Sequence, residues 1–173
     1  MNLFAAKAKG IQIIKHYDAE KSAIDHVVKR FFSTFNNVNG ISVNLASLTD
    51  IFMAGAVIVK TCGETPFVAD LPDFIAPRQK LLNDGDLECF SEEELWERTD
   101  IFGGIAQRIC LYRKSGVLSG QGFETKGMKS IQLVKTETGW KILSVAWDDE
   151  RDGLSAPVFP DLTEQSLPDE ESI

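Results

Sequence analysis

The stretch LWERTDIFGGIAQRICLY, residues 95–112, decides the fold. Two β-prone segments flank Gly103-Gly104, a dipeptide suited to a two-residue hairpin turn with positive φ at both positions. If Phe102 pairs with Ile105, then Asp100 faces Gln107, Thr99 faces Arg108, Arg98 faces Ile109, Glu97 faces Cys110, Trp96 faces Leu111 and Leu95 faces Tyr112. Side chains alternate across a strand, so Trp96, Arg98, Asp100, Phe102, Ile105, Gln107, Ile109 and Leu111 share one face. That face is the more apolar and is predicted to pack on helices. The opposite face, with Glu97, Arg108 and Tyr112, is predicted to meet solvent or a second subunit.

A second hairpin follows at Glu137-Thr138-Gly139. A three-residue loop there pairs Thr136 with Trp140. It puts Ile131, Leu133, Leu143, Val145 and Trp147 on one face and Ser130, Gln132, Ser144 and Ala146 on the other. Between the hairpins, Ser115–Gly122 reads as a flexible connection. Its glycines (Gly116, Gly120, Gly122) form a loop and not a phosphate cradle, because no helix follows.

Upstream the period changes from two to 3.6 residues. Ile24, Val27, Val28, Phe31, Phe32 and Phe35 form one apolar stripe, which predicts a helix over 18–37 capped by Asp18 and ended by Asn39-Gly40. His26 lies opposite the stripe and faces solvent. Leu45, Leu48 and Phe52 suggest a short second helix, and Ala56–Thr61 a strand. Asp70-Leu71-Pro72 opens a third helix with a cap and an early proline, and Pro77 is expected to kink or shorten it. The first helix offers its phenylalanines to the greasy sheet face, so the predicted class is α+β, with about three N-terminal helices packed on one curved antiparallel sheet.

Composition narrows the function classes. The chain has 173 residues, one-domain size, and a formal charge of −8. A net acidic surface with no basic run argues against nucleic acid and anionic membranes as partners. The apolar run through Ala54–Val59 is too short to span a bilayer, and the N-terminus lacks the continuous block of a signal peptide. Cys62, Cys89 and Cys110 are widely spaced and form no metal-ligand pattern. They predict reduced thiols, a cytoplasmic setting, no metal and no cofactor. Residues 153–173 hold three of the six prolines, five acidic residues and no basic one. They read as an acidic tail behind a folded domain over 1–152.

The order of elements carries a resemblance. The first helix ending near Asn39-Gly40, the segment Asp70-Leu71-Pro72-Asp73-Phe74, the hairpin Ile101-Phe102-Gly103-Gly104-Ile105-Ala106 and the closing Gly139-Trp140-Lys141-Ile142 together resemble the nuclear transport factor 2-like superfamily over residues 18–150. That group includes SnoaL-like (polyketide-cyclase-like) and ketosteroid-isomerase-like proteins. The resemblance implies a cystatin-like cone whose mouth holds a small apolar molecule, and a homodimer through the outer sheet face. It fixes no activity, since this fold hosts isomerases, dehydratases, cyclases and binding modules. The His-plus-acid and Tyr-plus-acid sets of some enzymatic members have no match in this sequence.

On this reading the polar residues standing on the greasy face are the candidates for chemistry. Asp100 becomes a desolvated general acid or base, with Gln107 orienting it or binding a ligand carbonyl. Arg98 is its neighbour and possible structural partner. Arg78 falls within the apolar arc of the third helix and needs a carboxylate, from Asp100 or from a ligand. Trp96 and Trp147 floor the pocket or simply fill the core. These residues support a small-molecule-binding protein. The alternatives are a cofactor-free isomerase, cyclase or dehydratase acting through Asp100 on a carbonyl compound, and a homodimeric interaction domain without ligand.

Overall fold

In a computed structural model the described residues are 3–63 and 65–159, with side chains described from Tyr17 onward. Helix α1 runs Leu3–Ser33 and is followed by two 3₁₀ turns, Val38–Gly40 and Leu45–Asp50. Then come β1 (Phe52–Lys60), β2 (Phe67–Ala69), α2 (Leu71–Asn83), β3 (Leu87–Phe102), β4 (Ile105–Leu118), β5 (Gln121–Thr136) and β6 (Gly139–Asp149). The strands form one sheet in the order β2-β1-β6-β5-β4-β3, antiparallel except for the β1–β6 pair. The α+β class stands, with one parallel pair in a sheet expected to be wholly antiparallel.

The helical stripe lies where its period places it. Ile24, Val27, Val28, Phe31, Phe32 and Phe35 are all buried in the core, and His26 is exposed. The helix starts fifteen residues before Asp18, so Asp18 lies inside it and caps nothing. It stops at Ser33, short of the expected 37. Beyond it the buried Asn37 amide ties the loop to the sheet: Nδ2 donates to the Leu82 and Leu87 carbonyls at 2.9 and 2.6 Å, and Oδ1 accepts from the Phe90 amide at 2.6 Å. Asp70 caps α2 by accepting from the Asp73 amide, and the helix continues through Pro77.

The hairpin at Gly103-Gly104 has the expected register down to Trp96 opposite Leu111. A bulge then leaves Leu95 over, and Glu94, not Leu95, faces Tyr112. Its faces, however, are reversed from the prediction. Ser119-Gly120 is not part of a flexible connection. It is a second two-residue turn, with φ of 49° and 82°, and it joins β4 to β5 in unbroken register from Leu118–Gln121 to Ile105–Val134. That register sets Arg108 beside Ile131 and Cys110 beside Lys129. Ile131 and Leu133 are buried on the helix side, so Ala106, Arg108, Cys110 and Tyr112 point there too, together with Thr99. The final hairpin also differs. Thr136 pairs with Gly139 and Lys135 with Trp140, and a bulge at Leu143 restores Val145 and Trp147 to the inside. Trp140 and Ile142 are therefore buried, and Leu143 is exposed.

Placing Arg108 inside demands counter-charges, and α1 and β3 supply them. The guanidinium is 3% exposed. Its Nη1 meets Asp25 Oδ1 at 2.6 Å, its Nε meets Glu94 Oε1 at 2.8 Å, and its Nη2 also bonds Glu94. Glu97 stands 3.5 Å away and is shared with Lys21 at 2.7 Å. Glu97 and Arg108, expected at a subunit interface, thus clamp α1 to the sheet. Burial works against these charges. For Asp25 the bonds from Arg108 and Lys21 outweigh it, and for Glu97 those from Lys21 and Thr99 do, leaving both carboxyls below the usual range. Tyr17 adds a hydrogen bond to the Thr99 carbonyl at 2.9 Å.

Carboxyls depressed in the folded state contribute stability above their unfolded values, about 3.9 for Asp and 4.3 for Glu, and lose it as pH falls through the lower folded values. Arg108→Met is therefore expected to cost about 3 kcal/mol in urea denaturation at pH 7, by stranding its carboxylates. The gap to the wild type should narrow as pH drops below about 4. A gap that stays constant down to pH 3 would show that the clamp contributes nothing through charge.

Candidate functional site

The inner face of the sheet divides in two. Near Gly103-Gly104 it is sealed by α1 and the Arg108 cluster. Towards Ser119-Gly120 the long strands outrun α1 and leave a cavity of about 490 Å³. Phe31 and Phe35 wall it from the α1 side, Phe74, Arg78, Leu81 and Leu82 from α2, and Phe90, Leu118, Phe123 and Trp147 from the sheet. Its polar lining comprises Lys60, Glu92, Lys114, Thr125, Lys129, Asp149 and Glu150 besides Arg78.

The predicted residues part company here. Arg78 and Trp147 line the cavity, as expected. Asp100, Gln107, Arg98 and Trp96 do not, because the reversed face carries them to the other side of the sheet. Asp100 and Arg98 are 67% and 65% exposed and pair with one another at 3.4 Å. Gln107 is exposed as well. Asp100 thus keeps neither the desolvation nor the cavity position that a general acid or base would need there. Trp96 lies flat against Phe159, ring centroids 3.6 Å apart and planes 2° apart. The segment after β6 therefore crosses the outer sheet face to reach β3. Leu111, on the same outer row as Trp96, is buried although it stands outside the main core.

Apart from Arg78, the polar groups that enter the cavity are not the ones proposed for chemistry from the sequence. Asp149 ends β6 pointing inward and collects three donors. Tyr112 donates its hydroxyl to Oδ1, while Cys62 Sγ and Lys114 Nζ reach Oδ2 at 3.0 and 2.7 Å. Burial alone would raise the Asp149 carboxyl, but the bonds from Cys62, Lys114 and Tyr112 outweigh it and hold the group ionised. Burial, then Asp149, pushes the Cys62 thiol and the Tyr112 phenol up, so both stay protonated at neutral pH. Asp149 is thus an occupied acceptor with little basicity left over, and Cys62 is a donor and not a nucleophile.

Lys129 makes the second polar contact. It is 4% exposed, pairs with Glu92 Oε1 at 2.8 Å, and sits 3.7 Å from the Tyr112 ring centroid and 5.2 Å from that of Trp147. Aromatic faces and one carboxylate together offset its burial. Period-two alternation from Ile131 and Leu133 points Lys129 inward and could have found it. Glycine at 127 is what lets Tyr112 lie across β5. A Cβ there would stand 2.6 Å from the Tyr112 hydroxyl and would collide with the Asp148 carbonyl.

Arg78 differs from the lysines. Its guanidinium lies 3.8 Å over the Phe74 ring and 5.7 Å from Trp147, and its one hydrogen bond runs from Nη1 to the Phe74 carbonyl at 3.3 Å. Burial lowers its pKa to about 10, despite the charge of Glu92. Among the described residues, no group of three or more His, Cys, Asp or Glu stands ready to hold a metal ion, and no helix is long and apolar enough to cross a membrane.

These features define a cystatin-like cone, with helices closing one end of a strongly extended sheet and a cavity at the other. Solved structures share it. A nuclear transport factor 2 (NTF2-like) superfamily protein from Salmonella enterica serovar Typhimurium is similar with a TM-score of 0.63 at 13% identity, over 87% of this chain and 99% of that one. An NTF2-like protein with a cystatin-like fold from Novosphingobium aromaticivorans gives 0.59 at 12% identity, over 85% and 89% of the two chains. An NTF2-like protein of unknown function from Shewanella baltica gives 0.54 at 15%, over 78% and 97%. No family model and no curated protein matches the sequence. The chain thus has the fold of the nuclear transport factor 2-like proteins.

Gly127→Ala is expected to destabilise the protein by about 1–3 kcal/mol, through overpacking at Tyr112 and at the β6 backbone. A midpoint of urea unfolding equal to that of the wild type would show that Tyr112 does not lie across Gly127.

Proposed function

We propose that the protein binds a small, largely apolar molecule inside the cone. The observation that carries this reading is the cavity of about 490 Å³ between α2 and the sheet, lined by six aromatic rings. Its size and lining match those of small-molecule sites, which are mostly apolar clefts of about 300–1,000 Å³ with a few placed polar groups. An open cleft of this kind leaves aromatic surface in contact with water, which an apolar ligand would cover. The fold supports the reading only generally, because it hosts many unrelated activities. The alternative of acid–base catalysis through Asp100 loses its base to the solvent side of the sheet, and Asp149, the inward carboxylate beside Tyr112, has its oxygens engaged.

The test uses the fluorophore 1-anilinonaphthalene-8-sulfonate. It should bind saturably, at one site per chain, with a blue-shifted emission. Leu81→Trp, which fills the cavity from α2, should abolish that signal while the circular dichroism spectrum stays that of the wild type. Unchanged binding by a folded Leu81→Trp protein would place the dye on the outer face, where Phe102 is 83% exposed, and would remove the support for a cavity ligand.

A further inference from the structure

Four cations and three carboxylates line the cavity: Lys60, Arg78, Lys114 and Lys129 against Glu92, Asp149 and Glu150. The chain as a whole is acidic, so an excess of positive charge here is local and needs an account. Most of these charges are already matched. Lys129 is paired with Glu92 at 2.8 Å and Lys114 with Asp149 at 2.7 Å. Glu150 accepts the backbone amides of Lys126 and Ala156 at 3.1 and 3.4 Å. Arg78 and Lys60 remain. Among the described residues, neither has a carboxylate within ion-pair distance.

Arg78 is the more telling of the two. Stacking on Phe74 fixes the plane of its guanidinium and covers one face, but the in-plane N–H groups are left for another partner. Among the described residues one of the five donors has an acceptor, the Phe74 carbonyl. With a pKa near 10 the group is charged at neutral pH although burial disfavours that charge. A planar carboxylate fits the free edge of a guanidinium through two parallel hydrogen bonds. The imbalance of one positive charge suits a monoanion. A phosphate dianion would meet Glu92 and Asp149 with charge to spare.

Resting on the binding reading above, we propose that the ligand is an amphipathic carboxylate, its acid group held by Arg78 with Lys60 nearby and its apolar part lying among Phe90, Leu118, Phe123 and Trp147. Lys60 contributes its charge and is the lesser determinant.

The test compares octanoate with 1-octanol, which share a chain and differ in the anionic head, by isothermal titration calorimetry. Octanoate should bind about tenfold or more tightly than octanol, the difference a charged hydrogen-bonded pair supplies. Arg78→Gln should lower octanoate affinity by about the same factor and leave octanol within about twofold. Lys60→Gln, which leaves the Phe74 stack intact, should weaken octanoate less but in the same direction. Equal binding of both ligands, or octanoate binding that Arg78→Gln leaves unchanged, overturns the carboxylate assignment and leaves the cavity reading standing. Binding of neither ligand by the wild type counts against the cavity reading itself, and the carboxylate assignment goes with it.

Discussion

The register between β4 and β5 governs every side chain that these two strands send into the cavity. Ser119-Gly120 closes a two-residue turn, and fourteen residue pairs follow from it without a slip. Because alternation along a strand is strict, one displaced residue would turn one strand's faces over relative to the other's. Arg108, Cys110, Tyr112 and Lys114 point inward because Ile131, Lys129, Gly127 and Thr125 do. The bulges at Leu95 and Leu143 then bring β3 and β6 into phase, so that Glu92, Glu94 and Glu97 on one side and Trp147 and Asp149 on the other turn towards the same interior.

That register carries charge into the fold, and two arrangements neutralise it. At the sealed end Arg108 is surrounded by Asp25, Glu94 and Glu97, which fastens α1 across the sheet. At the open end Lys129 and Lys114 are matched by Glu92 and Asp149, with Tyr112 bridging the two clusters by its ring against Lys129 and its hydroxyl on Asp149. Breaking any one of these contacts strands a charge in the interior. Arg78 is, with Lys60, a cavity cation that has no carboxylate partner among the described residues. It is also the member carried on a helix and not on the sheet.

Much of the fold was legible in the sequence because local rules governed it. The α1 stripe, the Asp70 cap and the Gly103-Gly104 register depend on periodicity and turn chemistry alone. The placement of Asp100, Gln107, Arg98 and Trp96 depends on one turn. Ser119-Gly120 is a fair hairpin signal, but the glycines at 116 and 122 made the whole stretch look like a loop. The first hairpin was then oriented by counting apolar residues, and Trp96, Phe102, Ile105 and Leu111 outweighed Thr99, Arg108 and Tyr112. On the outer face Phe159 covers Trp96, a long-range contact that no window reveals, while Phe102 and Ile105 stay exposed. Of the candidate site, Arg78 lines the cavity because it stands within the apolar arc of α2, and Trp147 because the bulge at Leu143 keeps it in phase with Val145. Lys129 and Asp149 lie in phase with Ile131 and Val145 and were within reach of the same rule. Cys62 and Tyr112 become meaningful only through Asp149, far away in sequence.

The orientation of β4 can be measured directly in solution by a nuclear Overhauser experiment on isotope-labelled protein. If the register is as described, the Tyr112 ring protons will show cross-peaks to the Gly127 α-protons and to the Phe32 ring, and the Leu111 methyls will show none to Phe31 or Phe32. Cross-peaks from the Leu111 methyls to those phenylalanines, with Tyr112 lacking contact to α1, would mean that the sheet faces the other way and that the cavity and its Arg78 site are wrongly built.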